Sequence, residues 1–393
     1  MLKTMQHNLH QSYLYTAFAY FGIAGLWVMF LQERGLSLVQ IGLCESIYHL
    51  TSLLFQVPAG ALADRFSYRT MLIASRIAAV GHASIMLLAP VHSFWWFASA
   101  FILLGWASSL QSGTLETLLF ETLVDGQQSK HYPQVISVMN TILKVAGMTG
   151  LILAGWLIHD FTLVTYQLYL VAAIGALIAA ITLHEPSRHT PNGQPLTLRQ
   201  IARAAITGLH KLPQLAYLMI FNTIFSVIGA AYYNYFQAVL AAHGFKGGLL
   251  SGILVVVTVL NVISVQLTPY LQRYWSPVKL LTGLATLLIF TLLLTGTNQL
   301  PIMLGGYFFV NMLMAGIAPI MTSYYNNLIA SGQRATLLSV SSMLYSLTTS
   351  LAFPLIGWLI EHHSFAVSFT WIGSGLAVLG LLSLGLLVKT NHS

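Results

Sequence analysis

Four polar residues recur along one apolar stretch: Glu45, His49, Ser52 and Gln56. Spacing of i, i+4, i+7 and i+11 puts all four on one face of a helix. A carboxylate and an imidazole one turn apart can pass a proton if their exposure changes. The other reading of Glu45 and His49 is a structural hydrogen-bonded pair near the outer end of the helix. A second group lies further along. Ser109, Gly113 and Glu116 share a helical face, as do Ser137, Thr141, Lys144 and Met148, with Asn140 beside Lys144. Lys144 can meet a solute carboxylate or take part in proton coupling, and a static ion pair with Glu116 is the alternative. Arg76, about two turns into its own apolar run, is expected to snorkel to the inner surface.

The elements that hold these residues must be membrane helices. The chain has 393 residues, of which 16 are Lys or Arg and 9 are Asp or Glu, so only 6% are charged. Soluble domains carry roughly 25% charged residues. With 56% hydrophobic residues and a mean hydropathy of +0.76, the chain is neither a water-soluble enzyme nor disordered. The apolar runs are continuous, which speaks against a β-barrel. They fall near 12–31, 39–63, 70–90, 94–123, 132–158, 163–183, 213–242, 247–271, 278–296, 300–330, 335–360 and 365–388. Each suits a span of ~20 residues, which gives twelve transmembrane helices in an all-α membrane protein.

The formal charge of +7 follows from loop composition. With a cytoplasmic N-terminus, thirteen Lys and Arg fall inside, Arg34 and Lys246 outside, and Lys144 within the fifth span. That asymmetry orients the chain with both termini cytoplasmic and removes the need for a nucleic-acid partner. The single Cys44 can form no intrachain disulfide. One long loop, 187–212, contains Pro191, Asn192 and Gly193, then an amphipathic stretch at 196–211 with Arg199, Arg203 and Lys211. It reads as a cytoplasmic linker lying on an anionic membrane surface. It separates an N-terminal six-helix bundle, 1–186, from a C-terminal one, 213–393.

The two halves echo each other. Gly155-Trp156-Leu157-Ile158 recurs as Gly357-Trp358-Leu359-Ile360 at an offset of 202 residues, and the same offset aligns Ser137-Val138 with Ser339-Val340. Duplicated halves around a central cavity are an architecture of secondary transporters, worked by rocking about a midplane site. The second half has no acid within a span. Its cavity-lining candidates are neutral: Asn222, Tyr233, Gln237 and Asn311. Tyr and Asn can frame a site for an amphipathic organic molecule, and tyrosines near span ends can equally form an interfacial belt.

Between the second and third spans lies Gly60-Ala61-Leu62-Ala63-Asp64-Arg65-Phe66-Ser67-Tyr68-Arg69. Gly60, Asp64, Arg65 and Arg69 resemble motif A of the major facilitator superfamily, whose pattern is Gly-x-x-x-Asp-Arg-x-Gly-Arg followed by a basic residue. Ser67 and Tyr68 stand where the motif usually has Gly and a basic residue. The segments Gly35–Ser37, Val57–Gly60, Ser112–Glu116 and Arg334–Ser339 look like bacterial drug-exporter-like members. The glycines of the antiporter motif appear as Gly147, Gly150 and Gly155 without its Pro, and Phe101 stands four residues before Gly105, where drug/proton antiporters often carry Arg. The resemblance implies the major facilitator fold, two pseudo-symmetric six-helix bundles, with Asp64, Arg65 and Arg69 as an inner gate, in which Asp64 can meet cations or a helix N-terminus and the two arginines can pair with acids of the cytoplasmic face.

On this reading the chain is a secondary active transporter of a small organic solute, proton-coupled, with export of an amphipathic compound expected. The alternative on the same scaffold is a proton-coupled importer of a sugar, peptide or organic anion. The coupling or substrate residues expected are Glu45, His49, Gln56, Glu116, Asn140 and Lys144. Partners are the small-molecule substrate, protons and the lipid bilayer of a bacterial plasma membrane, and the chain is expected as a monomer. There is no P-loop pattern, and His184-Glu185-Pro186-Ser187-Arg188-His189 has the wrong spacing for a zinc-protease motif. No enzymatic activity, cofactor or metal is expected.

Overall fold

The computed structural model describes residues 2–158, 162–187, 213–328 and 334–390. Among them the chain forms fourteen α-helices and no strand. In lipid every backbone N–H and C=O must find a partner within its own segment, which continuous helices achieve. Nine helices among the described residues are long and apolar enough to cross a bilayer, ten if one bent pair counts as a single span.

The described contacts divide the chain into two compact units, 1–203 with 244–254, and 204–243 with 255–393. The first carries α1 (Leu2–Ala19), α2 (Trp27–Glu33), α3 (Leu38–Arg65), α4 (Tyr68–Leu88), α5 (Phe94–Gln111), α6 (Thr114–Asp125), α7 (Tyr132–Leu157) and α8 (Thr162–Thr182). Serines start two of these helices. Ser37 and Gln40 form a reciprocal capping box at α3, and Ser67 accepts from the Thr70 N–H at α4. The core joins α1, α4, α6 and α8 through Tyr15, Leu72, Leu118, Leu119, Ala176 and Ala180.

Two expected spans are broken. For the first, the apolar run predicts one helix over 12–31. The structure starts it at Leu2 and bends it by 48° through a short 3-10 turn, Gly22–Ala24, before α2. The cause is a close crossing with α7: a Cβ on Gly22 would lie 2.1 Å from the Gly147 carbonyl oxygen, and one on Gly150 would lie 2.4 Å from the Gly22 nitrogen. Backbones approach this closely only where side chains are missing. The fourth span, expected over 94–123, is divided into α5 and α6 at Ser112-Gly113. Gly113 takes φ +73°, a left-handed conformation that glycine adopts without steric cost.

The second unit carries α9 (Pro213–Ala242), α10 (Gly247–Tyr274, of which residues up to 254 belong to the first unit), α11 (Pro277–Thr295), α12 (Leu300–Leu328), α13 (Arg334–His363) and α14 (Phe365–Thr390). Its centre is aromatic: Tyr232 meets Phe369 edge-on at 4.8 Å, and Phe236 stacks on Tyr307 at 4.7 Å. The amphipathic stretch expected at 196–211 lies outside the described residues.

Candidate functional site

The first unit buries a cation, Arg76, on the third turn of α4. Its side chain is buried, at 6% exposure. The expectation that it snorkels is therefore corrected: neighbouring helices hold it in the interior. Its Nη2 donates to Ser75 Oγ at 2.9 Å and to Gln111 Oε1, and its guanidinium lies 5.2 Å from the centre of the Tyr15 ring. Gln111, the last residue of α5, ties the group together. Its Oε1 also accepts from Tyr15 OH at 3.1 Å, and its Nε2 donates to Tyr20 OH at 2.7 Å.

This cluster forms one wall of a cavity of about 380 Å³, lined by Tyr20, Tyr48, Arg76, Gln111, Glu116 and Tyr169 among others. The breaks in the first and fourth spans shape it. Tyr20 sits just past the end of α1, and the left-handed Gly113 starts α6 so that Glu116 falls in its first turn. A cation, a carboxylate, an amide and three phenols around one cavity can recognise a small polar solute.

Glu45 and His49 form the pair expected from their spacing. Glu45 Oε1 lies 3.4 Å from His49 Nε2, with side chains 18% and 12% exposed. The His49 ring meets Tyr48 edge-on at 4.9 Å, and Tyr48 OH donates to Ser108 Oγ at 3.4 Å. Tyr48 thus touches the ionisable pair and lines the Arg76 cavity. Ser52 accepts from Ser109 Oγ through its carbonyl, so this stripe of α3 faces α5, while Gln56 is exposed.

The Glu116–Lys144 ion pair, the alternative reading of Lys144, is not formed among the described residues. Among the described residues, neither Glu116 nor Lys144 has an opposite charge within 4 Å. Lys144 and Asn140 are exposed on α7 and do not line the Arg76 cavity. In the second unit, Tyr233 stacks on Tyr307 at 5.7 Å, and Asn311 Nδ2 donates to the Tyr307 carbonyl at 2.7 Å, so these two candidates flank one residue. Gln237 is fully buried and Asn222 half-buried.

Over residues 12–329 the sequence matches the Major Facilitator Superfamily. The chain belongs to that superfamily. It is a multi-pass membrane transporter and not an enzyme. No curated protein matches the sequence. Among solved structures, a mutant form of the nucleoside transporter NupG is similar with TM-score 0.73 and 13% identity, covering 96% of this chain and 99% of that one. A POT family transporter in complex with 5-aminolevulinic acid gives 0.68 and 13%, covering 98% and 96%. A D-xylose-proton symporter gives 0.66 and 15%, covering 96% and 95%. At these identities the likeness shows the major facilitator fold.

Within that fold, the motif A segment spans the turn between α3 and α4. Gly60, Asp64 and the exposed Arg65 belong to the end of α3. Arg69 is anchored at the end of α8. Its guanidinium donates to the Ile181 carbonyl, from Nη2 at 2.6 Å and Nε at 3.1 Å. Glu185 accepts from backbone, the Tyr68 N–H at 2.8 Å and the Arg69 N–H at 2.9 Å. Residues that sequence reasoning missed or misread are therefore Arg76, Gln111, Tyr48 and Glu185. Glu121 on α6, also passed over, is fully buried.

Proposed function

We propose that this superfamily member is a proton-coupled secondary transporter of a small polar organic solute, bound at the Arg76 cavity and moved by alternating access. The observation that carries the reading is the buried Arg76 guanidinium on the wall of a polar cavity of about 380 Å³. A buried charge in a membrane span is costly and usually functional. The Glu45–His49 pair, joined to the cavity through Tyr48, is the proton-carrying group. The halves 1–186 and 213–393, joined by 187–212, rock about the site, with Asp64, Arg65 and Arg69 as the inner gate.

The polar wall favours uptake of a hydrogen-bonding solute over export of an amphipathic one. The similar nucleoside, POT family and D-xylose-proton transporters are described with polar solutes, the last also with a proton. The transporter acts as a monomer in a bacterial plasma membrane, with both termini cytoplasmic.

The test is a proteoliposome assay with a pH dye trapped inside. Polar solutes are added with and without an imposed inward proton gradient. A transported solute should acidify the lumen and accumulate only when the gradient is present. Solute movement without any proton movement would overturn the coupling.

A further inference from the structure

The Arg76 cavity holds two opposite charges that do not satisfy each other. Among the described residues, no acid lies within 4 Å of Arg76 and no cation within 4 Å of Glu116. Arg76 is 6% exposed, so water cannot do for it what a counter-ion would. A guanidinium offers five N–H donors in a planar fork. The hydrogen bonds that Arg76 makes here both come from Nη2 and both go to neutral oxygens, Ser75 Oγ and Gln111 Oε1. Its Nε is buried with no hydrogen-bond partner. The Tyr15 ring covers the guanidinium at 5.2 Å and leaves the cavity side open to a ligand.

The Nη1 hydrogens of Arg76 make no described hydrogen bond and Arg76 lines the cavity, so a carboxylate that reaches them gains a charge-assisted bond. Glu116 stands on the wall of the same cavity with an exposed side chain. A dianion entering there would meet Glu116 as a like charge, and a simple cation would meet Arg76 as one. A solute with one charge of each sign satisfies both. We infer that the solute is a small zwitterion, its carboxylate held by Arg76 and its ammonium group by Glu116. This inference rests on the transporter reading above and names the substrate class of that same site.

The experiment uses the purified full chain in detergent. Thermal unfolding is followed with the twenty common amino acids and dialanine, and with uridine and xylose as neutral polar controls. Each compound that stabilises is compared with its carboxamide and its N-acetyl form, which remove one charge apiece. Bound ligand raises Tm by mass action. The expected result is stabilisation by at least one zwitterion, with its carboxamide weaker by at least roughly 30-fold, as for loss of one partner of a buried charge, and its N-acetyl form weaker by roughly 5-fold, as for loss of an exposed ion pair. Glu116→Gln should abolish the discrimination against the N-acetyl form and leave the discrimination against the carboxamide. Because Glu116 is exposed, this variant tests the assignment even if Arg76→Gln fails to fold.

Stabilisation by uridine or xylose alone, by carboxamides as well as by acids, or by nothing in the panel overturns the inference. A zwitterion that binds in this pattern but moves no proton in the liposome assay would leave the substrate class standing and sink proton coupling instead.

Discussion

Glu185 and Arg69 cap two neighbouring helices at their facing ends. The Glu185 carboxylate takes the Tyr68 and Arg69 N–H groups at the start of α4, where the helix dipole is positive, while the Arg69 guanidinium takes the Ile181 carbonyl at the end of α8, where it is negative. The segment carrying Glu185 is tied down elsewhere too: Asn8 exchanges two hydrogen bonds with the His184 backbone, each 2.9 Å, and Asp125 accepts from the Ser187 N–H at 2.8 Å. This end of the first unit is thus held together by hydrogen bonds at helix ends.

Glu185→Ala should therefore lower Tm. It leaves two N–H groups without their acceptor, a loss comparable to removing an N-cap, about 1 kcal/mol. Glu185→Gln, which keeps one amide oxygen, should cost less. Thermal unfolding of the purified variants measures the difference. Equal Tm for wild type and Glu185→Ala would show that water serves α4 as well as the carboxylate does.

Two glycines of α7 should respond oppositely to the same substitution. A Cβ at Gly150 would lie 2.4 Å from the Gly22 nitrogen and 2.6 Å from the Ile23 nitrogen, both backbone atoms that cannot swing aside. A Cβ at Gly147 would meet only the Tyr20 carbonyl oxygen at 3.7 Å, an ordinary contact. Gly150→Ala should destabilise by about 1–3 kcal/mol, the usual cost of overpacking, while Gly147→Ala should be tolerated. Thermal unfolding of both variants reads this out, and a tolerated Gly150→Ala would mean that the crossing of α7 with the first span can open to admit a methyl group.

What sequence could and could not reveal follows from where the information lies. The spans were legible because hydropathy is a local sum. Their breaks were not, because apolar composition runs unbroken through Tyr20–Leu26, and the glycines that cause the bend, Gly22 and Gly150, are far apart in the chain. Glu45 and His49 were legible because both sit on one helix, whose pitch fixes their distance. Arg76 was misread because its position along α4 suits snorkelling equally well. Only Gln111 from α5 and Tyr15 from α1, brought in by packing, show that it stays inside.

Gly113 offers a purely conformational test. Its φ of +73° disfavours any side chain, yet nothing lies within 4 Å of a Cβ built there. Gly113→Ala should therefore cost about 1–2 kcal/mol from the left-handed backbone alone, and Gly113→Asn less, since Asn tolerates that region better. Because Gly113 sets the start of α6 and so the placement of Glu116, solute affinity should fall together with Tm. A drop in Tm with unchanged affinity would separate the helix break from the site.

The Glu45–His49 pair can be shown to be a coupling device or a structural one by a split between two assays. Exchange of labelled for unlabelled solute across a liposome needs the binding cavity and the rocking motion but no net proton movement. Accumulation against a gradient needs the proton step as well. The pair reaches the cavity through Tyr48, whose ring lies 4.9 Å from that of His49, and neither Glu45 nor His49 lines the cavity, so removing one titratable group leaves the solute wall intact. Glu45→Gln should therefore keep exchange near the wild-type rate, abolish proton-driven accumulation and leave the lumen of the vesicle at its starting pH. His49→Gln should do the same, because a single remaining partner has nothing to pass its proton to. If both variants still accumulate solute while Tm falls, the 3.4 Å contact is a helix-stabilising bond and the proton travels through another acid.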